Sequence, residues 1–542
     1  MLKVTISDCL KEKALTTPEK EALVYKKTRL SFQELDAKVD ALALGLRKLG
    51  MVKDDRVAIY LEKSHHEVIS ILATNRAGGV FVDINHQLKA SQVEHILLDS
   101  GARFLLTTKQ RLKHLLEVLP SCHSIEHIIL HGAGETPEKL TIPFVEKEQL
   151  LATVACEKAA FTQIVETDIA SIIYTSGSTG KPKGVVISHR NLLAGAESAS
   201  SYLENTPEDR ILCVLPFSFD AGLVQLTAGL YVGYTCVLIN YLLPNDILKW
   251  MERENITGLA MIPPLWLQIL QKSWDQEMFP HWRYLTNTGG AFPAVVIADL
   301  TTRLPRTKIY PMYGLTEAFR GTYLPPGEVI HRPTSMGKAM PNAEIWVINE
   351  KGEHCKPGEP GELVQRGAHV ALGYWNDSVK TAEKFKPNPF SLPGAQIQEM
   401  VVYSGDRVKT DEEGYLYFVG RMDEMIKTSG YRVSPTEVEE ALYADIRVRH
   451  TVAFGVQDEV LGQKIVAIVS PRDQQQLTIE ELRQLCQVKL PNYMQPKVVE
   501  IWDNLPLNPN GKIDRKSVQS KYRDKLSKIG EKTDSQNFRR ID

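Results

Sequence analysis

Hydrophobic and polar positions change rhythm twice along the chain. From about residue 20 to 320, short apolar runs alternate with amphipathic stretches. Arg56-Val-Ala-Ile-Tyr-Leu, Ser171-Ile-Ile-Tyr, Gly184-Val-Val-Ile-Ser, Arg210-Ile-Leu-Cys-Val-Leu and Arg283-Tyr-Leu are examples. Most end near Gly, Ser or Pro and pass into a helix-like segment, the rhythm of βαβ units and a mostly parallel sheet. Between residues 340 and 420 the runs shorten. Ala343-Glu-Ile-Trp-Val-Ile-Asn alternates, Glu350-Lys-Gly-Glu reads as a turn, and Glu362-Leu-Val-Gln-Arg and Gly414-Tyr-Leu-Tyr-Phe-Val-Gly read as further strands. This pattern predicts antiparallel structure. From about residue 424 the chain reads as a small α+β unit. Ser434-Pro-Thr-Glu437 has the form of a capping box with Pro at the first helical position, and Thr478-Ile-Glu-Glu481 repeats the device.

The expected fold is therefore α/β. A large N-terminal domain of mixed, mostly parallel sheets with helices covers residues 1–420, with a β-rich subdomain at about 335–420. A tight hinge at 421–423 leads to a small α+β C-terminal domain over 424–518, and a polar, frayed tail covers 519–542. The length of 542 residues exceeds one hydrophobic core and agrees with several domains.

Charge and cysteine content narrow the function. With 64 Lys+Arg against 66 Asp+Glu, the chain has no general positive excess for a nucleic-acid backbone. Seven scattered cysteines, with no C-x-x-C pair, read as reduced thiols in a cytoplasmic protein. No apolar h-region follows Met1. The longest uncharged stretch, Ala221 to Asn245, carries Gln225, Thr227, Thr235, Asn240 and glycines, so no transmembrane segment is expected.

The most informative stretch is Tyr174-Thr-Ser-Gly-Ser-Thr-Gly-Lys-Pro-Lys-Gly184. Glycines let backbone approach a bulky anion, hydroxyls and N–H groups donate to its oxygens, and lysines supply charge. It is a phosphate loop by chemistry but not a Walker A loop, because Gly180-Lys181 is followed by Pro182. His189 follows the next apolar run and opens a helix, which suits positioning this loop better than acting as a base.

This loop resembles the signature loop of AMP-forming acyl-adenylating enzymes: acyl-CoA synthetases, luciferases and peptide-synthetase adenylation domains. Asn287-Thr-Gly-Gly-Ala-Phe-Pro293, Tyr313-Gly-Leu-Thr-Glu317, Tyr403-Ser-Gly-Asp406, Gly420-Arg-Met-Asp-Glu-Met-Ile-Lys427 and Asn508-Pro-Asn-Gly-Lys512 are similar to further motifs of that family, in the same order. Leu215-Pro-Phe-Ser-Phe-Asp-Ala-Gly222, Tyr241-Leu-Leu-Pro-Asn, Ile262-Pro-Pro-Leu-Trp, Leu315-Thr-Glu-Ala-Phe-Arg320 and Lys427-Thr-Ser-Gly-Tyr-Arg-Val-Ser-Pro-Thr-Glu437 resemble acyl-CoA ligases associated with exosortase A systems.

The resemblance implies ATP-dependent activation of a carboxylic acid to an acyl-adenylate, then transfer to a thiol. It implies roles residue by residue. Thr175, Ser176, Gly177, Ser178, Thr179 and Gly180, with Lys181 and Lys183, would wrap the β- and γ-phosphates. Gly290, Ala291, Tyr313 and Gly314 would line the nucleotide, and Gly289, Phe219 and Asp220 the acyl substrate. Thr316 would donate to the α-phosphate, and Glu317 would hold Mg²⁺, a hard ion that suits oxygen ligands. Asp406 would accept the ribose hydroxyls, Arg421 would reach the nucleotide, and Lys512 would stabilise the α-phosphate and the acyl carboxylate. Asp423 matches the hinge and Gly430 the glycine lining the pantetheine tunnel of a rotating lid.

The acyl group is less defined. Phe219-Asp220 resembles the pair in peptide-synthetase adenylation domains whose aspartate meets the substrate ammonium, yet Asp220 equally reads as the cap of a helix starting at Ala221. Tyr313-Gly-Leu-Thr-Glu leans towards acyl-CoA ligases. About 30 residues follow Lys512, too few for a carrier domain, so the expected acceptor is CoA or the phosphopantetheine of a separate carrier protein. A stand-alone amino-acid adenylating enzyme is the alternative. A nucleotide-binding protein without activity is disfavoured by the joint presence of Glu317, Asp406 and Lys512.

Overall fold

The computed structural model describes residues 2–132, 140, 142–154, 163–175, 181–290, 292, 294–392, 394, 398–421, 425–472, 476–506 and 513–537. They divide into two compact units, one of the described residues up to 175 and from 182 to 421, the other of those from 425 onward with Lys181.

The first unit is built on two sheets. In the larger, the strands Glu21–Tyr25, Thr235–Leu238, Arg210–Cys213, Gly258–Met261, Tyr284–Asn287 and Lys308–Tyr313 run side by side and parallel. The strands Thr322–Tyr323, Ser335–Ala339, Leu416–Arg421, Met400–Thr410, Gly361–Gly367 and Ala343–Ile348 extend it antiparallel. The alternating strands beyond residue 335 thus continue the large sheet. Met400–Thr410, which carries the Tyr403-Ser-Gly-Asp406 segment, was not expected as a strand; bulges in its pairing break the period of two.

The second sheet orders Gly373–Tyr374, Lys183–Ser188, Ile169–Thr175, Val80–Asp83, Arg56–Tyr60, Phe104–Thr108, His127–His131 and Phe144–Glu146. Every residue of Val80–Asp83 is buried. That is the condition of a parallel strand covered on both faces, and it explains why these runs read as continuously apolar.

The uncharged stretch from Ala221 resolves into part of a helix and a strand. The helix Asp220–Val232 is buried along most of its length and stops at Gly233, whose φ of +99° suits a helix C-terminus. The strand Thr235–Leu238 follows. Gly222 is required there: a Cβ would stand 1.9 Å from Pro216 O. No helix among the described residues is long and apolar enough to cross a membrane.

The second unit packs helices on a sheet of Tyr431–Val433, Ile426–Thr428, Gly462–Pro471, Val448–Asp458 and Val498–Ile501. Two expectations are corrected here. The described part of the tail is helical: a helix runs Arg515–Asn537, and Val518 and Tyr522, one turn apart, bury against Val452, Phe454 and Val466. The Ser434-Glu437 capping box does not form, and Ser434 makes no side-chain cap although Pro435 opens the helix. The Thr478–Glu481 box is formed in full.

Candidate active site

The site lies at the carboxyl ends of the parallel strands, where open α/β sheets bind their ligands. Three loops leave there: one after Arg210–Cys213, one after Tyr284–Asn287 and one after Lys308–Tyr313.

The last loop is the most constrained. Thr316 and Glu317 sit in a short 3-10 turn, Thr316–Ala318, and both are buried. Phe319 closes the turn at φ +47°, a left-handed conformation that costs a non-glycine residue about 1–3 kcal/mol. Its ring lies over Gly195 of the helix His189–Tyr202, where a Cβ would come within 2.5 Å of it. The packed ring holds the strained turn.

Glu317 is 4% exposed, and its Oε1 accepts a 2.7 Å hydrogen bond from Tyr374 Oη. Tyr374 is brought there by a two-residue strand that pairs it with Val185. Lys183 Nζ stands 5.7 Å above the same ring. Burial pushes the Lys183 ammonium down; Lys380 adds to this, while Asp377, Glu383 and Glu317 oppose it. Thr175 faces Lys183 across the hairpin of Ile169–Thr175 and Lys183–Ser188. Lys181 is exposed. Ser176, Gly177, Ser178, Thr179 and Gly180 lie outside the described residues.

A second centre surrounds Asp406, which is 3% exposed. Its Oδ2 accepts from Tyr313 Oη at 2.5 Å and its Oδ1 from Arg421 Nη1 at 2.7 Å. Asp406 and Arg421 are directly opposed on neighbouring strands, so sheet register itself makes the pair. Burial first, then the Asp406 charge, hold the Tyr313 hydroxyl well above the usual tyrosine range, so it stays a donor. A carboxylate offers about four acceptor positions, so this one keeps capacity for further donors.

Asn287 closes the middle loop by donating from Nδ2 to Gly290 O at 3.1 Å, and Gly289 takes φ +78°. Ala291 lies outside the described residues. Gly314 packs tightly on the Arg320 backbone, where a Cβ would come within 3.3 Å of Arg320 Cα.

Asp220 departs from its expected place. It occupies the first turn of the helix, and Phe219 is the cap residue. Thr316 Oγ1 lies 3.5 Å from its Oδ1. Burial pushes the carboxyl up and Glu317 adds to this, while Arg320 and the Ala221 N–H oppose it. His189 is buried at the start of its helix, and burial pushes it down to about 4, too weak a base for general-base work at neutral pH.

Gly430 belongs to the second unit. It forms with Ser429 the two-residue turn between Ile426–Thr428 and Tyr431–Val433, both with positive φ, as a type I′ hairpin requires. Asp423 and Lys512 lie outside the described residues.

The chemistry of the donor set bears on a metal. Among the described residues no group of three or more His, Cys, Asp or Glu is placed to hold one. Mg²⁺ carried on nucleotide phosphates needs only one or two carboxylates, so a single buried Glu317 fits it.

Tyr374 and Arg320 were not singled out by sequence reasoning. Tyr374 joins Glu317 only through sheet pairing. Arg320 stood inside a quoted motif, but its burial could not be read there.

Comparison with known proteins decides the family. A model described as AMP-binding enzyme matches residues 10–375, and one described as AMP-binding enzyme C-terminal domain matches residues 437–512. The chain belongs to the AMP-binding enzyme family. Within the AMP-forming adenylating superfamily it is 31% identical to tyrocidine synthase 1 of Brevibacillus parabrevis, over 95% of this chain and 45% of that protein. It is 30% identical to gramicidin S synthase 2 of Aneurinibacillus migulanus, over 95% of this chain and 11% of that one. The chain thus spans less than half the length of these relatives. Among solved structures, o-succinylbenzoate CoA synthetase of Bacillus subtilis superposes with a TM-score of 0.79 at 26% identity, covering 94% of this chain and 97% of that one. The amide bond synthetase McbA of Marinactinospora thermotolerans shares the fold, with a TM-score of 0.82 at 22% identity over 95% and 99% of the two chains.

Proposed function

We propose that this member of the AMP-binding enzyme family is an AMP-forming acid–thiol ligase. It activates a carboxylic acid with ATP and passes the acyl group to a thiol. The observation that carries the reading is the convergence of the Glu317–Tyr374 and Asp406–Tyr313–Arg421 centres on the Tyr313–Glu317 segment, at the carboxyl ends of parallel strands.

A carboxylate is a poor acyl donor because oxide would have to leave. Attack of a carboxylate oxygen on the α-phosphorus forms the acyl-adenylate and breaks the bond to pyrophosphate. A thiol then attacks the acyl carbon and AMP departs. Negative charge gathers on the α-phosphoryl oxygens in the first step, so positioned donors and cations do most of the catalytic work. Thr316 donates to the α-phosphate, Asp406 accepts from the ribose, and Arg421 holds Asp406 in place. Thr175, Ser176, Gly177, Ser178, Thr179, Gly180, Lys181 and Lys183 enclose the outer phosphates, and Gly289, Gly290, Ala291 and Gly314 allow close approach. Glu317, fixed by Tyr374, would hold Mg²⁺, which when bound neutralises phosphate charge.

The second unit acts as a lid in this reading. Lys512 serves adenylation, and rotation about Asp423 brings the Ser429-Gly430 turn to the thiol step. Lys512→Ala is expected to lower acid-dependent pyrophosphate exchange by about 10²-fold or more. It should spare thioester formation from supplied acyl-adenylate; equal loss in both steps contradicts the alternation.

Phe219-Asp220 and the peptide-synthase relatives favour a second reading, an amino-acid adenylating enzyme that loads a carrier protein. Pyrophosphate exchange over fatty, aromatic and amino acids separates the two, followed by CoA or carrier protein as acceptor. Exchange confined to amino acids overturns the first reading.

A further inference from the structure

Arg320 is a buried cation that the adenylation chemistry above does not use. It is 5% exposed. Among the described residues no carboxylate forms an ion pair with it, and its buried Nε makes no hydrogen bond. Its guanidinium reaches one acceptor, Ala221 O, at 3.5 Å from Nη2. Its backbone is fixed more firmly: Gln365 Nε2 donates to Arg320 O at 2.8 Å, and Phe319 holds the preceding left-handed turn. A guanidinium cannot shed its charge, so a buried one needs a nearby negative field.

Asp220 supplies that field. It precedes Ala221, the residue Arg320 touches, and the two charges act on each other without meeting. Asp220 also lies 3.5 Å from the hydroxyl of Thr316. In the adenylation reading, on which this inference rests, Thr316 marks the α-phosphate. The substrate carboxylate bonded to that phosphate, and the α-carbon one bond further, then lie close to Asp220, on which the Arg320 charge acts.

We infer that Arg320 is a specificity determinant that excludes an α-ammonium, so that the substrate is a carboxylic acid without an α-amino group. The two side chains offset each other in charge. An ammonium drawn to Asp220 would stand beside a buried cation that had lost its balancing charge. At an effective dielectric near 20, two unit charges about 6 Å apart repel strongly enough to change a rate on the order of a hundredfold. Asp220 therefore balances Arg320 and does not receive a substrate ammonium.

The test is pyrophosphate exchange with matched acids: octanoic against 2-aminooctanoic acid, and 3-phenylpropionic acid against phenylalanine. The wild type is expected to favour the des-amino member of each pair by on the order of a hundredfold in kcat/KM. Arg320→Gln should raise kcat/KM for the amino member and bring the ratio below about tenfold, while Arg320→Lys keeps it. Should Arg320→Gln fail to fold, Asp220→Asn decides: the preference for the des-amino acid should persist or grow, because the cation is still there. A wild type that prefers the amino members overturns the inference, as does a ratio unmoved in Arg320→Gln. Loss of the preference in Asp220→Asn also overturns it. No exchange with any acid is a different failure, of the adenylation reading itself.

Discussion

Two carboxylates at the same end of one sheet are treated in opposite ways. Asp406 is contacted on both oxygens, at 2.5 and 2.7 Å, by a tyrosine at the end of the strand Lys308–Tyr313 and an arginine set by strand register. Asp220 has a threonine hydroxyl at 3.5 Å and an arginine that influences it without contact. The first centre is held in one geometry before any ligand arrives, with acceptor capacity left, in the proposed function, for one fixed group, the ribose. The second is balanced in charge but loose in geometry, and suits a group that differs from substrate to substrate. In the proposed function, rigid recognition of the common nucleotide falls to Asp406 and looser sorting of the acid to Asp220.

The largest expected effect breaks that contrast at its closed side. Asp406→Ala removes one partner of a buried ion pair and leaves Arg421 uncompensated, which costs about 3–5 kcal/mol. Asp220→Ala breaks no direct ion pair but leaves the buried Arg320 without its balancing charge, and should cost less, about 1–3 kcal/mol. Denaturant unfolding of the first unit checks both, and equal losses would erase the distinction.

Acid sharpens the comparison next. His189 opens the helix His189–Tyr202, and His369 Nε2 lies 3.0 Å from Ser198 Oγ and 3.2 Å from Ala194 O of that helix. Burial pushes both imidazoles down to about 4. The unfolded chain titrates near 6.5, so as pH falls it takes up protons before the folded chain does. Stability is complete above pH 6.5 and is lost as pH falls towards 4, by about 2 kcal/mol for each histidine at pH 5. The same helix backs Phe319 and the turn before Arg320, so hydrogen exchange should rise there before it rises around Asp406. His369→Gln is expected to flatten part of the pH dependence.

The smallest effect is at Glu317. Tyr374→Phe removes the 2.7 Å bond and is expected to lower pyrophosphate exchange about tenfold, the scale of one hydrogen bond to a charged group. Raised Mg²⁺ should recover part of the loss.

What the sequence disclosed follows from how locally each feature is encoded. Thr316, Glu317 and Asp406 stand in contiguous motifs, and runs such as Arg56–Tyr60 and Arg210–Cys213 carry their strand character in β-branched residues. Tyr374 reaches Glu317 through a two-residue strand, too short to leave a pattern. The burial of Arg320 depends on a helix one hundred residues earlier in the chain. Asp220 proved to be the first helical residue and not the cap, because Phe219 takes the extended conformation one residue sooner than expected. The final helix looked polar because, among the described residues, Val518 and Tyr522 are its buried apolar positions. Ser434 shows the reverse case, a sequence pattern for a cap whose hydrogen bond does not form.

The most direct test of the central claim is the identity of the products made from ATP and an acid before any thiol is added. The account predicts AMP-forming chemistry: acyl-adenylate and pyrophosphate in equal amounts by mass spectrometry, dependent on the acid and abolished in Asp406→Ala. ADP and orthophosphate, or nucleotide cleavage indifferent to the acid, would contradict it.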